Sequence, residues 1–157
     1  MRKHDENRFI DEKIFTDFME NSNVNYKYGE ISNKIIQAFY KVYNEFGYGF
    51  KREIYIKCLK LACIELGLKA EINEKIELFF NNENVGNYSA DLIIEEKIII
   101  YVSNQQKLES ELEQKMYWKF KKSKYQVALI LNFGINPEFK RKNNEIKING
   151  KIDSIDQ

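Results

Sequence analysis

The 157-residue sequence is poor in histidine, cysteine and proline. Its single histidine, His4, lies in a polar terminal segment, which disfavours serine-histidine and cysteine-histidine catalysis and histidine-rich metal sites. The two cysteines, Cys58 and Cys63, lie in a predicted helix and do not share a helix face. This spacing favours two buried free thiols over a disulfide or a zinc site.

A large excess of charge and a long apolar run are also missing. The chain has 25 Lys and Arg against 24 Asp and Glu, so a nucleic-acid surface would have to be a local patch. The apolar runs at 98–102 and 127–131 are too short to span a bilayer, and residues 1–25 lack the pattern of a signal peptide. We therefore expect an intracellular, soluble protein with no membrane partner.

The apolar content of 43% is sufficient for one compact domain. We expect this domain to cover residues 28–150, between an N-terminal extension (1–27) and a tail (151–157). Within the extension, apolar residues recur at near-helical spacing: Phe9, Ile10, Ile14, Phe15, Phe18 and Met19. This amphipathic helix would either pack on its own domain or dock on a partner or a second copy of the chain.

The hydrophobic periodicity predicts an α/β core. Helices are expected at 32–46, 52–66 and 107–122, with a turn at Gly47-Tyr48-Gly49 between the first two. Strands are expected at 70–80, after Val85, and at 125–131, and a last short element at 139–148. Residues 90–94 and 97–102 should form a β-hairpin around Glu95-Glu96, and the apolar second strand suits the centre of a sheet.

The order of these elements and a set of scaffold residues resemble the GxxExxY family, a compact branch of the PD-(D/E)XK nuclease-like proteins. The resemblance runs from about Gly29 to Lys142. It depends on Ile35-Ile36, Ala38, Val42, Gly47, Gly49-Phe50, Tyr55, Leu59, Glu65-Leu66, Gly67, Gly86, Tyr88, Ala90-Asp91-Leu92 and Leu131-Asn132-Phe133-Gly134. It implies a restriction-endonuclease-like core, in which helices flank a central mixed sheet.

The departures from the family pattern fall on its polar positions. Of the residues that the resemblance implies for catalysis, only Asp91 is present. The Glu of the GxxExxY motif is replaced by Arg52, and a Glu of the preceding helix by Lys41. The Glu and Lys of the E-x-K triplet are replaced by Tyr101 and Ser103, and a helix Gln by Lys115. Asp91, Tyr101, Ser103, Arg52 and Lys41 would form a vestigial site.

These replacements bear directly on metal chemistry. A PD-(D/E)XK site uses two or more carboxylates to hold Mg²⁺ or Mn²⁺, which activates water and polarises the phosphate. Asp91 alone is a poor ligand set for a strongly hydrated ion, so we expect no cofactor. The favoured hypothesis is a catalytically inactive nuclease-like protein that serves as an interaction or assembly module. Asp91 would then be a strand-end residue that accepts backbone hydrogen bonds.

Two alternatives remain open. Asp91 and the helix carboxylates Glu109, Glu111 and Glu113 could rebuild a metal-dependent nuclease, with Lys107 or Lys115 in place of the lost Lys. Alternatively, a cleft could bind nucleic acid without a metal. That hypothesis uses Lys41, Arg52, Lys115, Lys119, Lys121 and Lys122, with Tyr117, Trp118 and Tyr125 interleaved. It predicts that Lys41, Arg52 and Lys115 converge on one concave surface. A protein partner or a homo-oligomer is expected, and nucleic acid is a possible partner.

Overall fold

The structure is a computed structural model that describes residues 27–144, 146–148 and 151–153, with side chains from 27 to 144. The amphipathic helix predicted in the N-terminal extension and His4 lie outside the described residues. Within the described part of the chain, no helix is long and apolar enough to cross a membrane.

Three helices lie close to their predicted positions: α1 (Gly29–Phe46), α2 (Arg52–Glu65) and α3 (Ser110–Lys121). In α1, buried residues such as Ile35, Phe39 and Val42 recur at helical spacing and form its inner face. The helix ends at Gly47, whose φ of 66° lies in the left-handed region and whose N–H donates to the carbonyl of Tyr43.

In the part of the chain that the structure describes, nine strands form three sheets. Their bounds are β1 (Ala70–Ile72), β2 (Lys75–Phe80), β3 (Glu83–Ser89), β4 (Leu92–Ile94), β5 (Ile98–Ser103), β6 (Val127–Phe133), β7 (Pro137–Asn143), β8 (Ile146–Ile148) and β9 (Lys151–Asp153). The main sheet has the order β1-β4-β5-β6-β7, while β2-β3 and β8-β9 are two-stranded. Only the β5-β6 pair is parallel among those of the main sheet. The predicted central mixed sheet is therefore confirmed.

The main sheet divides the core into two layers. Every residue of β5 and β6 is buried, as expected for central strands covered on both faces. Alternate β5 residues face opposite ways: Ile98, Ile100 and Val102 pack with residues of α1 and α2, whereas Ile99 and Tyr101 pack with residues of α3. The vestigial position Tyr101 therefore faces α3, and Ser103, two residues further on, faces the same way.

The β4-β5 hairpin forms as predicted, with Ile94 opposite Ile98. Its turn places Glu95 and Glu96 at φ 56° and 55°, and the N–H of Lys97 donates to the carbonyl of Ile94 at 3.0 Å. These are the features of a type I′ turn. The turn fixes which residues of the two strands face each other.

Three expectations about the strands were incomplete. The single strand predicted at 70–80 is two strands in different sheets, separated at Asn73, whose φ of 61° breaks the extended backbone. The short element predicted at 139–148 is two strands: the edge strand β7, which already begins at Pro137, and β8. Strand β9 lies in the segment that the sequence assigned to the tail.

The cysteines are free, as expected, but only Cys63 is buried and Cys58 is half-buried. Burial raises the pKa of the Cys63 thiol to about 12. The pKa of Cys58 is also raised, mainly by burial. Both thiols are therefore protonated and poorly reactive near neutral pH.

Candidate functional site

A cleft of about 290 Å³ lies where the open end of the β4-β5 hairpin meets α2 and α3. It contains six of the candidate site residues named from the sequence: Arg52, Asp91, Tyr101, Ser103, Lys115 and Lys119. The lining residues are Arg52, Tyr88, Ser89, Asp91, Tyr101, Val102, Ser103, Asn104, Gln105, Leu112, Lys115, Met116 and Lys119. We call this feature the Asp91 cleft.

Asp91 immediately precedes β4 and uses both carboxylate oxygens. Its Oδ2 accepts a hydrogen bond from the N–H of Val102 at 2.8 Å, which closes the open end of the hairpin. Its Oδ1 lies 2.6 Å from Nη1 of Arg52. The Asp91 side chain is 15% exposed and that of Arg52 is 44% exposed. The one family carboxylate is therefore paired with a cation at the position where a second carboxylate was implied.

Tyr101 is buried and joins a chain of hydroxyl groups. The hydroxyl of Tyr88 donates to the carbonyl of Lys119 at 2.7 Å, so the hydroxyl of Tyr101, 2.9 Å from that of Tyr88, acts as donor between the two. Burial, and then the bond to Tyr88, raises the pKa of Tyr101 well above its usual range. A neutral, hydrogen-bonded phenol of this kind stabilises the cleft wall and is a poor nucleophile.

Ser103 is 2% exposed and is the last residue of β5. Its Oγ lies 3.4 Å from the N–H of Gln105, from which it accepts a hydrogen bond. Within the described residues, the Ser103 position therefore contributes to the turn that leads out of the strand.

The loop after β5 is held by two residues from the end of β6. The side-chain amide of Asn132, which is fully buried, both accepts from the N–H of Gln105 at 3.1 Å and donates to its carbonyl at 3.0 Å. A Cβ on Gly134 would come within 2.5 Å of the carbonyl oxygen of Gln106. The Asn132-Phe133-Gly134 segment thus fixes the loop that leads to α3.

The turn between α1 and α2 is held by Tyr55, and we call it the Tyr55 turn (residues 47–50 with Tyr55). The buried hydroxyl donates to the carbonyl of Gly47 at 2.6 Å and accepts from the N–H of Phe50 at 3.2 Å. The ring stacks on Phe133 with centroids 4.1 Å apart. The Asn104 side chain connects this turn to the Asp91 cleft by donating to the carbonyl of Phe50 at 3.1 Å.

The structure brings some of the candidate cations together and not others. Arg52, Lys115 and Lys119 line the Asp91 cleft. The expected convergence of Lys41 with Arg52 and Lys115 is wrong: Lys41 is not among the residues that line the cleft, and its Nζ lies 2.9 Å from Oε1 of Glu65 on α2. This pairing follows from the packing of α1 beside α2, which the sequence alone does not place.

Two further candidates lie on α3 or just after it, outside the Asp91 cleft. The Nζ of Lys121 lies over the rings of Tyr117 and Trp118, at 5.5 and 6.0 Å from their centroids. Lys122 lines a second cleft, together with Lys75, Phe79 and Lys124.

The carboxylates of the alternative nuclease site do not surround Asp91. Glu113 pairs with Lys142 at 2.6 Å, Glu111 lies 3.8 Å from Lys115 on the exposed helix surface, and Glu109 lines a different cleft. Among the described residues that line the cleft, Asp91 is the only carboxylate. Among the described residues, no group of three or more His, Cys, Asp or Glu side chains could hold a metal ion.

Sequence reasoning missed the parts played by Tyr88 and Asn104. Tyr88 belongs to the family pattern, but its role depends on a carbonyl 31 residues away in the chain. Asn104 directly follows the E-x-K position, and an amide at a strand end is a weak signal for such a contact. Neither bond has a local sequence pattern that would predict it.

A comparison with known families matches residues 29–142 to the model of the PD-(D/E)XK nuclease superfamily. A search of curated proteins and a search of solved structures returned no match. The matched residues cover most of the chain and include all three helices, strands β1 to β6 and all but the last residue of β7. This chain belongs to the PD-(D/E)XK nuclease superfamily.

Proposed function

We propose that this protein is a catalytically inactive nuclease-like module that binds the phosphate backbone of nucleic acid in the Asp91 cleft without a metal. The observation that carries the proposal is the contact between Arg52 and Asp91, with Nη1 and Oδ1 separated by 2.6 Å. This contact supports both halves of the proposal. The guanidinium opposes the binding of a metal ion at Asp91, and it keeps a cation in the cleft where a phosphate could bind.

The first half concerns the metal. A divalent ion at Asp91 would have to displace the guanidinium or lie beside it. At a separation of about 4 Å and an effective dielectric constant of about 20, two like unit charges repel by about 4 kcal/mol, and solvent reduces this where Arg52 is exposed. Asp91 would also be the only carboxylate ligand within the cleft. Mg²⁺ loses its hydration waters with difficulty, and a single carboxylate replaces few of those oxygen ligands.

The second half concerns the phosphate. Three cationic side chains line the same cleft, namely Arg52, Lys115 and Lys119. Arg52 uses Nη1 for Asp91, and a guanidinium has five N–H donors, so it can also contact a phosphate. The carboxylate neutralises part of its charge, and we therefore assign most of the electrostatic attraction to the two lysines.

We further propose that the chain is a member of the GxxExxY branch with degenerate catalytic positions. The contacts of Tyr55 support this assignment, since the motif tyrosine holds the backbone of the glycine turn and takes no part in the cleft. The motif glutamate position, Arg52, does line the cleft. Loss of the glutamate would thus change the chemistry and leave the turn intact.

A calorimetric titration of Mn²⁺ tests the first half. We expect no saturable binding that depends on Asp91, so that the native protein and the Asp91→Asn variant give the same heats. The Arg52→Glu variant serves as the comparison, because it adds a carboxylate beside Asp91 and should gain a binding signal. Saturable binding to the native protein that disappears in Asp91→Asn would overturn the proposal.

Fluorescence anisotropy with labelled oligonucleotides tests the second half. With about three phosphate contacts, affinity should fall about 20- to 40-fold between about 50 and 200 mM salt. The double variant Lys115→Gln/Lys119→Gln should bind more weakly and show a smaller salt dependence. Its control is Lys41→Gln/Lys97→Gln, which removes equal charge outside the cleft and should bind like the native protein. Equal losses in both variants would indicate a non-specific surface.

The protein partner or homo-oligomer expected from the sequence stays a prediction. Several large apolar side chains are exposed outside the cleft, among them Leu61 at 65% and Ile64 at 47% on α2. Single exposed apolar residues are normal on protein surfaces. A sedimentation experiment over a range of protein concentrations would measure the oligomeric state directly.

A further inference from the structure

The solvent face of α3 carries the only tryptophan of the chain. The side chain of Trp118 is 63% exposed, although tryptophan is usually highly buried. An exposed indole is a large flat apolar surface in contact with water, and it is the side chain best suited to stacking on another aromatic ring.

Trp118 lies on α3 next to Lys115, which lines the Asp91 cleft, but is not itself among the lining residues. Lys115 and Lys119 line the cleft, and a helix of 3.6 residues per turn places position 118 about 60° around the axis from position 115. Lys122, one turn further along, lies on the same side of the helix as Trp118. On the helix surface the indole therefore lies between Lys115 of the Asp91 cleft and Lys122 of the second cleft.

Contacts along the helix restrict the motion of the indole. The Nζ of Lys121 lies 6.0 Å from its ring centroid, and the ring of Tyr117 lies 6.3 Å away at 58°. A partly ordered aromatic ring loses less conformational entropy when a ligand binds to it. Trp118 thus has the position and the partial order of a binding surface.

The dimensions of the cleft favour a single strand over a duplex. At about 290 Å³ it lies at the lower end of the range for small-ligand pockets, which matches a nucleotide-sized group. Its inner wall is closed by the buried strand β5. An indole can stack on a base only where that base is not already stacked between neighbours, as in a single strand.

We propose that the ligand of this cleft is single-stranded nucleic acid, with its backbone against Lys115 and Lys119 and a base stacked on Trp118. The inference rests on the proposed function and names the class of nucleic acid. Trp118 contributes affinity through stacking, which does not depend on base identity, so binding tolerates most sequences.

The strand would leave the cleft along α3 towards the second cleft, of about 450 Å³. Lys122 and Lys124 line that cleft beside Phe79, whose side chain is 57% exposed. Two carboxylates also lie there, and each has a neutral partner: Glu74 accepts from Tyr125, and Glu77 accepts from Asn84. They reduce the net charge, so the second cleft is assigned a weaker contribution than Lys115 and Lys119.

Tryptophan fluorescence of the full chain gives a direct test, because Trp118 is the only tryptophan. Titration with an oligothymidylate should quench the emission to a saturating value. Titration with inorganic polyphosphate, which carries the charge without bases, should bind with little quenching. The same oligonucleotide annealed to its complement should bind more weakly than the single strand.

Two variants separate stacking from charge. Trp118→Leu should lower the affinity for the single strand about 5- to 100-fold, as measured by anisotropy, with an unchanged salt dependence. Trp118→Phe should restore much of the loss. The matched control is Phe80→Leu, at the tip of the β2-β3 hairpin, where the side chain is 68% exposed. That control should bind like the native protein.

The outcomes distinguish this inference from the function on which it rests. Salt-sensitive binding in which duplex and single strand compete equally, with no quenching, would overturn the assignment to single strands and leave the proposed function standing. If no nucleic acid binds, both proposals fail. If Trp118→Leu binds like the native protein, the stacking role is wrong.

Discussion

The Tyr55 turn and the Asp91 cleft are neighbours joined by Asn104, but their polar contacts differ in kind. In the turn, the buried hydroxyl of Tyr55 holds two backbone groups, the carbonyl of Gly47 and the N–H of Phe50. In the cleft, the contact between Arg52 and Asp91 joins two side chains, and one of them is 44% exposed. The first set of bonds defines the path of the chain, while the second defines only the charge of a surface.

The difference indicates which positions can change without loss of the fold. Replacing Tyr55 would leave the buried carbonyl of Gly47 and the part-buried N–H of Phe50 without their partners, which costs stability. Replacing a glutamate by Arg52 at an open cleft changes the local chemistry at little cost in folding. A scaffold can therefore persist while its catalytic positions change, and each prediction below measures one side of this contrast.

The largest effect is expected for Gly134→Ala, which belongs to the scaffold. The added Cβ would come 2.5 and 2.6 Å from the carbonyl oxygens of Gln106 and Gln105, which are backbone atoms. We expect a loss of about 3 kcal/mol of stability, measured by denaturant unfolding. Gly67→Ala is the control, since its φ of 83° is strained but the space around it is open, and it should cost only about 1 kcal/mol. Equal losses would show that the loop after β5 adjusts freely.

The next largest effect on stability is expected for Tyr55→Phe. The variant keeps the stacking on Phe133 and removes only the hydroxyl, so two backbone groups lose a partner. We expect a loss of about 2 kcal/mol in the free energy of unfolding. Tyr48→Phe removes a hydroxyl from a side chain that is 42% exposed, and its stability should be almost unchanged. If the two variants lost the same stability, the hydroxyl of Tyr55 would not stabilise the turn as proposed.

Tyr101 combines features of the two regions, because it lines the cleft but is as buried as the scaffold residues. Its pKa is raised in the folded protein, mainly by burial. As the pH rises, the unfolded chain therefore loses this proton before the folded protein does. The contribution of Tyr101 to the free energy of unfolding is fully present below about pH 10 and falls by about 1.4 kcal/mol per pH unit above it.

Tyr101→Phe should be less stable at neutral pH, because the bond to Tyr88 is lost. Its stability should also fall less steeply between about pH 10 and 11, by the equivalent of one proton. Tyr40, whose pKa burial raises to about 12, keeps part of the slope in both proteins. Unfolding curves at several alkaline pH values measure the difference, and identical slopes would contradict the assignment.

The smallest effect on stability is expected for Arg52→Gln. The pair with Asp91 is partly exposed, so its loss should change the free energy of unfolding by less than about 1 kcal/mol. Binding of nucleic acid, measured by anisotropy, should weaken nonetheless. A loss of stability as large as that of Tyr55→Phe would mean that the pair supports the fold.

The sequence predicts much of the scaffold because its signals are local. Buried residues of α1 at helical spacing, Gly47 after the helix and the apolar run of β5 each specify an element by themselves. The prediction of one strand at 70–80 was wrong at Asn73, because this residue has a positive φ and separates two strands that belong to different sheets. Asparagine adopts that conformation more readily than most residues, but its presence alone does not require it.

The site is less predictable because its contacts are distant in sequence. Asp91 was identified from the family pattern, yet its partner Arg52 lies 39 residues away. Lys41 was expected in the cleft, and the packing of α1 beside α2 directs it to Glu65. Such pairings depend on how helices and strands pack against one another, and the hydrophobic pattern specifies only which face of each element is buried.

The mixed pairing of β5 also bears on how the molecule folds. Its antiparallel contact with β4 closes over a short turn, from Ile94 to Ile98, and hairpins of this kind form within microseconds. Its parallel contact with β6 joins Ile98 to Val127 and must wait until the chain through α3 has crossed over. Asp91 and Tyr101 are thus brought together early, while Lys115 and Lys119 arrive with the slower step. The side of the cleft formed by Asp91 and Tyr101 should therefore form in the refolding chain before the side that carries Lys115 and Lys119.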